Sequence, residues 1–224
     1  MVKLTSRLST AADLCRRGVT VCDVGTDHAL LACYLAQTGA KEVIASDVRE
    51  GPLSAARRTI AEQGVTNVTA VLSDGLDRID HADDVVICGM GGELIMKIIS
   101  GCRFLSEDTR FILQPMTKAE VLRRELCRSG FEITEERTAA DGERFYSVML
   151  VKYTGHACEP DELFCYCGKI TDPVMLRHIA GKLEKNAAGM EQSPADSAHA
   201  GALRALAGEI TALAQKYETE ALCQ

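Results

Sequence analysis

The segment Asp23-Val24-Gly25-Thr26-Asp27-His28-Ala29 sets two carboxylates and an imidazole around one glycine, directly after an apolar run. That order reads as a strand running into a helix, and such turns are where open parallel sheets bind ligands. A dinucleotide fingerprint carries three glycines there, and its pyrophosphate needs a helix N-terminus free of negative charge. Asp27 is badly placed for such a ligand. An acidic turn suits a ligand bearing an ammonium and a sulfonium, and S-adenosylmethionine bears both. Taken alone, Asp23 or Asp27 also reads, with less weight, as a simple helix cap.

Further residues extend the pattern. Asp47, followed by Val48, closes the next apolar run, where an acid can hydrogen-bond a ribose diol. Asp74-Gly75 closes the one after, placing a carboxylate to accept from an adenine amino group and a backbone N–H to face a ring nitrogen. Turns are rich in Asp, so the weight lies in the repetition on successive strands. Gly89-Met90-Gly91-Gly92 concentrates glycine at a conformational-entropy cost, and lets backbone approach a ligand closely or simply turn tightly. Gln114-Pro115-Met116 ends a fifth run, and the Gln114 amide can donate and accept toward a base edge.

The elements that must position these residues alternate. Val19–Gly25, Glu42–Val48, Asn67–Gly75, Asp83–Gly92 and Arg110–Pro115 read as strands. Helical stretches are expected over His28–Gly39, Pro52–Gly64, Glu93–Ser100 and Lys118–Gly130, with Pro and Gly as end punctuation. Phe131–Thr138 and Arg144–Tyr153 then alternate about the turn-forming Ala-Ala-Asp-Gly-Glu with no helix between them, which predicts an antiparallel hairpin. Five βα units finished by a hairpin outline an α/β, Rossmann-like class I methyltransferase fold, mostly parallel, rather than a dinucleotide dehydrogenase. After a linker at 154–162, Asp172–Ala188 and Ser197–Ala221 predict a C-terminal α-helical hairpin joined through 189–196. Leu203, Leu206, Ile210, Leu213 and Tyr217 form the apolar stripe of its second helix. Two domains are expected, 1–155 and 156–224.

Composition bounds the partners. With 46% hydrophobic and 25% charged residues the chain has ordinary globular make-up, and no apolar run reaches the roughly 18–20 residues that span a bilayer. A cytoplasmic protein with no membrane partner is expected. Its net charge of −7 excludes a protein that coats nucleic acid non-specifically, because that affinity comes from phosphate neutralisation. Any nucleic-acid site must be a restricted surface. The ten cysteines are scattered along expected strands and helices, as small buried hydrophobes are. Cys165 and Cys167 lack a second pair at zinc-ligand spacing, so no metal is expected.

Asp23-Val-Gly-Thr-Asp-His-Ala, Ser73-Asp-Gly, Gly89-Met-Gly-Gly and Leu113-Gln-Pro resemble the bacterial TrmK family of tRNA (adenine-22-N1)-methyltransferases, as do Leu4-Thr-Ser-Arg-Leu8 and Asp141-Gly-Glu-Arg-Phe-Tyr146. The resemblance implies S-adenosylmethionine as cofactor, tRNA as partner, and a coiled-coil-like helical pair that helps to hold the tRNA. It departs at Met116, where the family usually has Asn. The expected donor-binding residues are Asp23, Gly25, Asp27, His28, Asp47, Val48, Asp74, Gly75, Gly89, Met90 and Gly91. Asp27 is the expected catalytic residue, stabilising charge that develops on the base. Arg7, Gly92, Gln114 and Pro115 are expected to meet the substrate. Phosphate contacts are expected from Arg7, Arg16 and Arg17, and from Lys118, Arg123, Arg124 and Arg128 on one helix, whose charges equally suit a solvated face. A monomer or weak dimer is expected. A small-molecule or protein methyltransferase, and a non-catalytic binding module that kept the fold, remain as alternatives.

Overall fold

Thr20–Val24 (β1) is buried at every residue, as a strand in the middle of a sheet covered on both faces must be. In the computed structural model, which describes residues 2–190 and 197–222, β1 pairs in parallel with Glu42–Asp47 (β2) and with Asp84–Gly91 (β4). Val68–Leu72 (β3) lies beyond β2, and Arg110–Thr117 (β5) beyond β4. Phe131–Asp141 (β6) and Arg144–Tyr153 (β7) form the expected hairpin, in which Asp141 pairs with Arg144 across a turn carrying Gly142 at φ +62°. The return strand β7 inserts antiparallel against β5, leaving β6 at the edge, and the sheet order is β3-β2-β1-β4-β5-β7-β6.

The helices are Ser6–Ala12 (α1), Leu30–Gln37 (α2), Glu50–Gln63 (α3), Gly92–Ser100 (α4), Ala119–Arg128 (α5), Glu162–Cys167 (α6), Pro173–Met190 (α7) and Ser197–Leu222 (α8). One expectation is corrected. No described helix joins β3 to β4: the short link tucks Leu76, Ile79 and Ala82 into the core through turns, so there are fewer βα units than five. The short helices α1 and α6 were not anticipated.

The chain divides into two compact units, Met1–Glu159 and Pro160–Gln224. The division falls a few residues beyond the expected 155/156 because the last of these residues are tied back to the sheet unit. Cys158 N–H donates to the Cys127 carbonyl at 3.0 Å, and Glu159 accepts from the Arg128 guanidinium at 2.8 Å. In the second unit α7 and α8 pack along a stripe of Leu176, Ile179, Leu183, Leu203, Leu206 and Ile210. Most of the expected connector between them, 191–196, lies outside the described residues. No described helix is long and apolar enough to cross a membrane.

Candidate active site

Parallel strands end together, so β1, β2, β3, β4 and β5 deliver their C-terminal residues to one edge of the sheet. At the end of β1 the backbone turns through left-handed φ at Gly25 (+76°), Asp27 (+49°) and Ala29 (+54°). Glycine takes this conformation freely and Asp tolerates it, whereas Ala does so at a cost of roughly 1 kcal/mol. Backbone strain of this kind collects at ligand sites. The turn is braced by β2: the Gly25 and Thr26 N–H groups donate to the Ser46 carbonyl at 2.8 and 2.9 Å.

Asp23 sits beneath the turn, 4% exposed, and accepts from the Thr26 hydroxyl at 2.7 Å. Burial pushes its carboxyl up to about 6; the Asp47 charge adds to the rise and the Thr26 hydrogen bond opposes it. A cation brought against Asp23 would relieve this. Asp27 and His28 stand in the open on the same turn, 3.8 Å apart. With Arg7, Leu8, Leu30, Leu31 and Cys88, these residues line a pocket of about 120 Å3. The Cys88 thiol, pushed far up by burial and by the Asp23 charge, is no nucleophile.

The neighbouring strand ends complete the edge. Asp47 is 7% exposed and accepts from the Arg49 N–H at 2.9 Å, with Val48 open beside it. Asp74 is exposed, and Gly75, at φ +55°, packs on Ile98. Cys88 pairs with Gln114 and Met90 with Pro115, so Gly89 bulges out of the β4–β5 ladder at φ +82°. A Cβ on Gly25 would stand 2.3 Å from the Met90 methyl carbon, which shows how closely the β4 turn covers the β1 turn. Arg7, Asp23, Gly25, Asp27 and His28 thus share one pocket, and Asp47, Val48, Asp74, Gly75, Gly89, Met90 and Gly91 lie along the same edge. Four carboxylates and a bare-backbone cradle fit a cationic sulfonium donor.

Several substrate expectations are corrected. Gln114 is wholly buried, with its carbonyl oxygen accepting from Arg7 and its amide nitrogen donating to the Pro115 carbonyl, so it reads no base edge. Gly92 is buried, and its missing side chain makes room for the Lys118 carbonyl and Leu122, so its role is packing. Pro115 is buried as well. Arg123, 1% exposed, is bound to Glu136 inside the protein and meets no phosphate. Arg16 is bound to the buried Asp84, at the opposite edge of the sheet, which also holds Arg110. Lys118 pairs with Glu93, and Arg128 with Glu125 and Glu159, so their charges are locally compensated. Sequence reasoning missed Ser6 and Asp141 as the parts that hold Arg7 in place, although both lie in the segments quoted above for the resemblance.

Residues 4–149 match the family model described as a Methyltransferase domain, so the sheet unit with its acidic edge is a methyltransferase domain. Over 191 residues the chain is 30% identical to the tRNA (adenine(22)-N(1))-methyltransferase of Bacillus subtilis (strain 168), covering 83% of this chain and 78% of that protein. The chain belongs to the tRNA (adenine(22)-N(1))-methyltransferase family. A putative tRNA (m1A22) methyltransferase of Streptococcus pneumoniae, solved with S-adenosyl-L-methionine, superposes with a TM-score of 0.79 at 25% identity, covering 93% of this chain and 100% of that one. TrmK of M. capricolum shares the fold, with a TM-score of 0.77 at 22% identity over 95% of this chain and 98% of that one.

Proposed function

We propose that the protein methylates N1 of adenine 22 in tRNA, using S-adenosylmethionine. The observation that carries this reading is the line of Asp23, Asp27, Asp47 and Asp74 along one sheet edge, in a chain of this family. S-adenosylmethionine supplies a methyl group on a positively charged sulfur, activated for in-line displacement. Asp23, ionised beneath the β1 turn, would hold the donor's positive end, and Gly25 would let it approach the backbone. Asp47 would accept from the ribose hydroxyls and Asp74 from the adenine amino group, with Val48 and Gly75 bordering the ring.

Adenine N1 has its own lone pair, so no proton need leave before attack. The protein's contribution is alignment and the exclusion of water. N1 lies on the Watson–Crick edge, so the base is taken unpaired or swung out, against the Gly89–Gly91 turn and Met116. The methylated ring gains positive charge, and the exposed Asp27 carboxylate stands where it stabilises that charge. The enzyme meets its tRNA in the cytoplasm.

The test is to incubate the protein with labelled donor and bulk bacterial tRNA and to map the modified nucleoside. N1-methyladenosine at position 22 is expected; label at another nucleoside, or none, overturns the reading. Asp27→Ala should lower kcat by about 10²-fold, a far larger effect than its weakening of donor binding measured by calorimetry.

A further inference from the structure

Gln114 is committed at every polar atom. Its Oε1 accepts from Arg7 Nη1 at 2.9 Å and from the Gly89 N–H at 3.2 Å; its Nε2 donates to the Pro115 carbonyl at 3.0 Å and to the Met116 sulfur at 3.6 Å. One orientation of the amide satisfies this set. Turned over, the NH2 would face two donors and the carbonyl would face a carbonyl. The Gly89 N–H is the group that the bulge removes from the β4–β5 ladder, so Gln114 replaces a lost backbone hydrogen bond and fixes the turn. It also holds the sulfur of Met116, which is 44% exposed beside the Met90–Gly91 end of β4.

Among the groups that keep the amide in that orientation, the one charged side chain is Arg7. Arg7 comes from α1, whose first N–H, that of Ser6, donates to Asp141 Oδ1 at 3.1 Å at the tip of the β6–β7 hairpin. Ser6 and Asp141 are 135 positions apart in sequence, and Arg7 and Gln114 are 107 apart. The hairpin therefore sets the helix, the helix sets the guanidinium, and the guanidinium sets the amide.

We propose that Arg7 is a positioning residue, which acts through Gln114 to hold the Gly89–Gly91 turn and Met116 as a fixed wall for the target base, rather than as a contact to tRNA phosphate. The inference rests on the methyltransferase reading above. The two roles separate kinetically. Loss of positioning lowers kcat, by roughly tenfold to a hundredfold for a wall displaced by about 1 Å, and leaves KM for tRNA unchanged. Loss of a phosphate contact raises KM, and makes the slope of log affinity against log salt shallower by about 0.7–0.9.

The experiment measures kcat, KM for tRNA and the salt slope for wild type, Arg7→Met, Arg7→Lys, Gln114→Leu and the double variant Arg7→Met/Gln114→Leu. Lowered kcat in Arg7→Met with unchanged KM and salt slope is expected, with several-fold recovery in Arg7→Lys, which keeps a donor. The double variant should be no slower than the slower single one, because both substitutions break one chain of contacts. Raised KM with a shallower salt slope overturns the proposal, as do losses that multiply in the double variant. Should Arg7→Met fail to fold, Gln114→Leu alone decides: it must show the same kcat loss at unchanged KM, and wild-type turnover overturns the proposal. An inactive wild type sinks the functional reading and this inference with it, whereas an active wild type matched by Arg7→Met sinks this inference alone.

Discussion

Asp23 is a carboxyl that the folded chain prefers protonated near pH 6 and that a cationic ligand prefers ionised. Its proton must therefore leave when the donor binds at low pH. Donor affinity is expected to hold above about pH 6 and to weaken below it, approaching tenfold per pH unit, with proton release on binding in that range. Asp23→Asn should flatten the profile, and calorimetry across pH 5–8 checks both. The stability of the free protein runs the other way. The folded value lies above the unfolded one, so the Asp23 contribution falls as pH rises from about 4 to about 6 and is level above that. The strand-end acids and glycines were legible in sequence because a turn residue after an apolar run has a place dictated by the run. Gln114 and Arg7 were legible only as polar residues near the site. That they are partners depends on a bulge and a helix docking that local pattern does not encode.

Among the elements, α4 and α5 meet at a point where no side chain fits. A Cβ on Gly92 would stand 2.3 Å from the Lys118 carbonyl and 3.0 Å from Leu122 Cβ. The obstacle is backbone and cannot swing aside. Gly92→Ala is expected to cost about 1–3 kcal/mol, lowering the melting temperature by roughly 2–4 °C per kcal/mol in a chain of this size. Thermal denaturation by circular dichroism checks it, and an unaltered melting temperature would return Gly92 to the ligand edge. The buried strands and long amphipathic helices were legible because burial on both faces gives continuous apolar runs, and burial of one stripe gives a 3.6-residue period. The seven residues of α1 bury only Ala11 and Ala12, and the six of α6 only Cys165 and Cys167, too little for a period to show. The β3–β4 link carries no helical period in the sequence and forms turns in the structure, so the expected count of five βα units is one too many.

At the scale of the whole molecule the chain is acidic, yet its substrate in the proposed function is a polyanion. On α7, His178, Lys182 and Lys185 fall on one face, and burial, followed by the charges of the two lysines, holds His178 below its ordinary value. Lys182 and Lys185 are exposed. Under the proposed function, these two lysines are a candidate for the restricted basic surface through which a chain of net charge −7 meets a polyanion. Replacing both lysines with Glu should raise KM for tRNA and make the salt slope shallower by at least about 1.4, two contacts at roughly 0.7 each, with donor binding unchanged. Filter binding across a salt series checks this, and an unaltered slope would move the contact elsewhere. The tie between Ser6 and Asp141 has a consequence during synthesis. A chain emerging from the ribosome carries its first helix long before the hairpin that anchors it exists, so the wall built on Arg7 assembles among the last parts of the sheet unit, and a nascent enzyme has no finished site to offer.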